Sequence, residues 1–121
     1  MKVVINRCFG GFGLSDQAFE LFMNKKGIEF DKVPSKHSFR VGECDYYRKG
    51  HVGEDDHYLY YYNLCDDRSD SALVAVVEEL GDKANGWAAE LAVVEIPDDV
   101  KWHIHEYDGI EHVAEDHRTW R

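Results

Sequence analysis

Basic residues are scarce in this 121-residue chain: 14 Lys and Arg stand against 24 Asp and Glu, for a formal net charge of −10. A surface with that balance repels polyanions and excludes non-specific nucleic-acid binding as a role. Cysteine is scarce too. Cys8, Cys44 and Cys65 are odd in number, far apart and without a CxxC pair, so neither a disulfide framework nor a zinc ribbon is indicated and a reducing cytoplasm is expected. No apolar run approaches 18 residues, and Met1 leads into Val3-Val4-Ile5 with no basic n-region. No membrane span, secretion signal or membrane partner is therefore expected. Repeats and low-complexity segments are also missing.

Apolar side chains, by contrast, are plentiful. With 44% hydrophobic and 13% aromatic residues, the chain is too apolar for a disordered segment and long enough to bury roughly two-thirds of its unfolded surface. The expectation is one layered domain over residues 1–121.

The most informative stretch is the first. Lys2 to Phe9 reads as an apolar strand, Gly10-Gly11-Phe12-Gly13 as a turn, and Asp16 to Lys26 as a helix. Ser15 is its N-cap, Leu14 and Phe19 are spaced as a hydrophobic staple, Ala18, Leu21 and Phe22 form its apolar stripe, and Gly27 stops it. From Asp31 to Asp56 come Pro34, three glycines and scattered charge, read as a surface excursion with one short strand near Ser38 to Val41. His57 to Cys65 is aromatic-rich and reads as a strand. Leu73, Val76, Val77 and Leu80 fall at i, i+3, i+4 and i+7, giving a second amphipathic helix that ends at Gly81. Asn85-Gly86 turns the chain into a strand over Leu91 to Ile96. A C-terminal β-hairpin follows, Val100 to Tyr107 and Ile110 to about Arg118, around Asp108-Gly109. The order β, α, β, α, β, β, β predicts an α+β or α/β domain: a mixed sheet of about five strands with two helices.

Three groupings could carry chemistry. A strand–glycine–helix turn aims backbone N–H groups and a positive helix end at one point, the means by which proteins hold phosphates and carboxylates. Here Arg7, Gly10, Gly11, Gly13, Ser15 and, from the far end of the chain, Arg118 are the candidate ligand-binding residues. The turn has neither the P-loop nor the dinucleotide-binding spacing, so it names no cofactor. Glycines in such a turn equally serve positive φ and close helix packing.

If Asp108-Gly109 is a type I′ turn, the register pairs Tyr107 with Ile110, Glu106 with Glu111, His105 with His112, Ile104 with Val113 and His103 with Ala114. His103, His105 and His112 then share one face, as metal ligands or as a plain polar strand surface. Glu111 and His117, on one strand, are the candidate acid and base of a hydrolase. Arg68, among Asp66, Asp67 and Asp70, reads as a guanidinium tying down acidic capping residues. Tyr58, Tyr60, Tyr61 and Tyr62 could stack on a base, but with this charge balance they read as core and sheet-face residues.

Ile5-Asn-Arg-Cys-Phe-Gly-Gly-Phe-Gly-Leu-Ser15, Asp67 to Gly81, Val94-Glu-Ile-Pro-Asp-Asp-Val-Lys-Trp102, Glu106-Tyr-Asp-Gly-Ile-Glu111 and Glu115-Asp-His-Arg-Thr-Trp120 together resemble a family of small proteins of tailed phages and prophages. The resemblance spans most of the chain outside residues 31–56 and carries no established activity. It implies a cytoplasmic protein of the infected bacterium, where small acidic proteins bind host or anti-phage defence components. Two functions therefore stand as expectations. One is a non-enzymatic binding protein recognising a host or defence protein surface or a phosphate-bearing small ligand; the other is a small hydrolase, with or without a metal, using the hairpin His and Glu residues.

Overall fold

In the computed structural model, which describes residues 1–35 and 44–115, the chain opens with β1 (Lys2–Asn6), whose Val3, Val4, Ile5 and Asn6 are all buried. Helix α1 (Asp16–Lys26) starts where the Ser15 hydroxyl accepts the Ala18 N–H at 3.1 Å. It stops at Gly27, whose φ of 73° lets the N–H groups of Gly27 and Ile28 close back on Asn24 and Met23. Its buried face is Ala18, Phe19, Phe22 and Met23, so Ala18 and Phe22 of the expected stripe are buried, while Leu21 is half-buried against the core.

The segment expected as a loose excursion is a sheet instead. β2 (Phe30–Pro34) pairs antiparallel with β3 (Cys44–Arg48), and β3 with the two-residue β4 (Tyr58–Leu59). Its charged residues hide the pattern, yet Tyr46 and Tyr47 are buried, and Tyr46 sits edge-on to Phe19 and Phe30 at 5.3 and 5.4 Å between ring centres. The strand placed near Ser38 to Val41 lies outside the described residues.

The aromatic run is likewise not one strand. A 3₁₀ turn (Asp55–His57), β4 and the one-turn helix α2 (Tyr61–Leu64) divide it. Tertiary packing overrides the β propensity there: turning helical after Tyr60 brings the Tyr61 ring edge-on to Phe12 and Phe19 and lets the Tyr62 hydroxyl donate to the Phe12 carbonyl at 3.1 Å.

Helix α3 (Ser71–Leu80) is capped by Asp70, which accepts the N–H groups of Ala72 and Leu73, and it buries Leu73, Val74, Val76 and Val77. A 3₁₀ turn (Gly81–Ala84) leads to β5 (Leu91–Glu95), which pairs antiparallel with β1. β6 (Trp102–Tyr107) and β7 (Ile110–Glu115) form the closing hairpin. Asp108 and Gly109 have φ of 50° and 88°, the two positive values of a type I′ turn, and every expected cross-strand pair is present.

The class is α+β. Seven strands lie in three small antiparallel sheets among the described residues, rather than in one mixed sheet of five. One core joins the β1–β5 and β2–β3–β4 sheets: Val4, Phe12, Phe19, Phe22, Met23, Tyr46, Leu59, Leu73 and Val76 belong to a single buried cluster, with α1 packed on α3, while the hairpin lies against β1 through β7. No helix among the described residues is long and apolar enough to cross a membrane.

Candidate functional site

β1 ends on a buried polar residue. The Asn6 side chain donates to the carbonyls of Cys8 and Gly109, both at 2.7 Å, and accepts from the N–H groups of Cys8 and Glu90, at 3.2 and 2.8 Å. Its own N–H donates to the Glu111 carboxylate at 2.8 Å. One amide thus ties β1, the glycine turn, the approach to β5 and the hairpin together, with its side-chain donors and acceptor satisfied.

Beside it lies a buried ion pair. Arg68 Nη1 and Nη2 reach Glu111 Oε1 and Oε2 at 2.6 and 2.9 Å, a bidentate fork whose side chains are only 13% and 8% exposed. The guanidinium lies 3.6 Å over the Phe12 ring, and the Arg68 carbonyl accepts the Val4 N–H at 2.9 Å. Arg68 therefore does not fasten its neighbouring aspartates; it holds the far strand β7. Glu111, expected as an acid or base, has both oxygens engaged and little access to solvent, so it lacks the reachable lone pair that a general base needs. His117 and Arg118 lie outside the described residues.

The glycine turn is built for close packing. A Cβ on Gly10 would lie 2.1 Å from the Ala88 carbonyl oxygen, and one on Gly109 would lie 2.4 Å from that of Phe9. Gly13 and Gly86 meet back to back, the Gly86 N–H donating to the Gly13 carbonyl at 2.9 Å. Several donors an anion would use are committed: Gly11 N–H to Cys8, Ser15 N–H to Ala84, and Ala18 N–H to the Ser15 hydroxyl, which itself donates to Lys83. Arg7 is exposed, its N–H bonded to the Glu90 carbonyl. A shallow depression of about 570 Å³ at Gly10 and Gly11 is lined by Phe9, Gly109 and the acidic Glu106 and Asp108. Two carboxylates at the mouth oppose a phosphate, so Arg7, Gly10, Gly11, Gly13 and Ser15 do not converge into an anion site.

Three exposed aromatics lie on the loops that meet at the turn. Phe9, Trp87 and Tyr107 are 70%, 72% and 72% exposed. They flank the two places where the loops touch, Gly10 against Ala88 and Gly109 against Phe9. Tyr60 and Tyr62 are also exposed, and the Tyr62 hydroxyl bonds the Phe12 carbonyl within the turn. The Tyr58 hydroxyl is pushed up to about 12 by burial and by its neighbour Asp45, to which it donates at 3.2 Å. Tyr58 is therefore a neutral donor rather than a phenolate.

The hairpin histidines share the expected face, and His105 and His112 have ring centres 4.8 Å apart. Yet among the described residues the trio whose donor atoms all lie within 4.8 Å of one another is a different one, His51, Glu54 and His57. Sequence reasoning passed over it, although its H-x-x-E-x-x-H spacing, with Gly50 before it and Gly53 within it, was a readable signal. No protein-family model, curated protein or solved structure matches the chain.

Proposed function

We propose that this chain is a non-enzymatic binding protein that recognises a basic protein surface through Phe9, Trp87 and Tyr107. The observation that carries the reading is the exposure of these three aromatics on adjoining loops. Large rings left in water at one place are the side chains that dominate binding energy once a partner covers them. The loops are well braced for that task, since Asn6 and the Arg68–Glu111 pair fix the backbone beneath them and little ordering is left to be lost on association. Charge supplies the selectivity. Glu106 and Asp108 border the same depression, Glu90 is exposed nearby, and the chain as a whole carries −10, so a basic partner is steered in and polyanions are kept out. The acidic rim favours a protein over a phosphate-bearing ligand, and the resemblance to phage proteins makes a host or defence protein of the infected bacterium the natural target.

The test is affinity capture from bacterial lysate with quantitative mass spectrometry, comparing the natural chain with a Phe9→Ser, Trp87→Ser, Tyr107→Ser variant. A specific partner should be retained by the first, depleted more than about tenfold by the second, and released by raised salt. A partner held equally by both proteins defeats the proposal.

A further inference from the structure

We infer that the loop joining β3 to β4 holds a divalent transition-metal site of the zinc class, with His51, Glu54 and His57 as its protein ligands. The loop is a succession of three tight turns: His51 N–H donates to the Arg48 carbonyl at 3.0 Å, Glu54 N–H to His51 at 3.1 Å, and His57 N–H to Glu54 at 2.9 Å. A three-residue repeat of this kind brings every third side chain to the same side, and the three in question are the two imidazoles and the carboxylate. Gly50 and Gly53, with φ of 86° and 84°, supply the left-handed backbone between the turns.

The side chains are already gathered. His51 Nδ1 lies 2.7 Å from Glu54 Oε2, and the two imidazole rings stack at 3.8 Å with 16° between their planes. His57 Nδ1 is buried and has no hydrogen-bond partner. A buried ring nitrogen in that condition is short of a proton partner or a metal, and it belongs to the same trio. Two imidazoles and one carboxylate are a zinc donor set, and bonds near 2.1 Å hold tetrahedral ligands about 3.4 Å apart. The stacked rings carry their in-plane lone pairs side by side, so donor atoms that lie within 4.8 Å of one another converge on one ion by rotation of the His51 and Glu54 side chains, which are 43% and 56% exposed. Asp55 and Asp56, both exposed, add negative charge beside the site, while Arg48 and Lys49 at its start oppose them. With three protein ligands the fourth position is left to water or an outside donor, so the ion fastens the loop and presents an open coordination point at its rim.

The experiment is titration of the full chain with zinc chloride alone, followed by calorimetry against a competing chelator, with cobalt(II) as a visible-absorption probe of tetrahedral geometry. One equivalent should bind. His51→Ala and Glu54→Gln, at a half-buried and an exposed position of a surface loop and so compatible with folding, should each weaken it at least about tenfold. A triple His103→Ala, His105→Ala, His112→Ala variant should bind as the natural chain does. Unchanged affinity in the two loop variants, loss confined to the hairpin variant, or no uptake at millimolar zinc each overturns the assignment.

Discussion

Replacing Glu111 with alanine leaves the Arg68 guanidinium buried against Phe12 with no counter-charge, and the Asn6 N–H without its acceptor. Removing one partner of a buried, hydrogen-bonded ion pair costs about 3–5 kcal/mol, because the remaining charge keeps its desolvation penalty. Set against a total stability of about 5–15 kcal/mol for a domain of this size, that is a large share. The expected signature is a fall of about 10–20 °C in Tm and of about 2 M in the urea midpoint, with an unchanged slope. A second variant separates charge from packing. Arg68→Met combined with Glu111→Leu removes both charges, keeps apolar volume, and places a thioether against the Phe12 ring. It should regain most of the loss, short of about 1–3 kcal/mol for the Asn6 N–H left without a partner. The measurement is equilibrium urea unfolding followed by tryptophan fluorescence. A loss below about 1 kcal/mol for Glu111→Ala, or a double variant no more stable than that single one, refutes the account of this pair as the clasp between β1 and β7.

Two further predictions concern the turns and a helix cap. Gly109→Ala adds a Cβ 2.4 Å from the Phe9 carbonyl oxygen at a φ of 88°, whereas Gly11→Ala adds one with nothing within 4 Å at a φ of 89°. Thermal unfolding should show the first to cost more than about 2 kcal/mol and the second about 1 kcal/mol, and equal losses would show that the loops do not pack as described. Burial opposes ionisation of Asp70, but Lys26 and the N–H groups of Ala72 and Leu73 outweigh it and hold the carboxyl below its ordinary range. A depressed carboxylate stabilises the fold above its unfolded value and loses that contribution as pH falls through the folded one. Asp70→Ala should therefore cost about 1 kcal/mol at neutral pH, with the gap to the natural chain closing below about pH 4; a gap independent of pH would contradict the charged cap.

Local punctuation made part of this structure legible from sequence. Ser15 and Gly27 bound α1, Asp70 and Gly81 bound α3, and Asp108-Gly109 set the hairpin register, each through a side chain or a φ requirement that acts within a few residues. The β2–β3–β4 sheet was not legible, because Asp45 and Arg48 break the apolar pattern and burial of Tyr46 depends on Phe19 and Phe30 from other elements. The partner of Arg68 was hidden for the same reason. Nothing near Arg68 distinguishes Asp67, close in sequence, from Glu111, which lies 43 residues away. The exposed rings of Phe9, Trp87 and Tyr107 carried no local sign of exposure either, since an aromatic beside a glycine turn reads equally well as core.

The placement of β1 also sets a timetable for synthesis. Its ladder partner spans Leu91–Glu95, and the carboxylate that accepts the Asn6 N–H is 105 residues downstream. At the usual pace of translation, of order 5–20 residues per second, that carboxylate is made roughly 5–20 s after the strand it will cap. Until Leu91–Glu95 is made, Val3, Val4 and Ile5 are an apolar strand without its ladder partner, a segment prone to pairing with another chain. A core built around β1 and fastened by β7 is therefore completed only after both of these distant partners have been made.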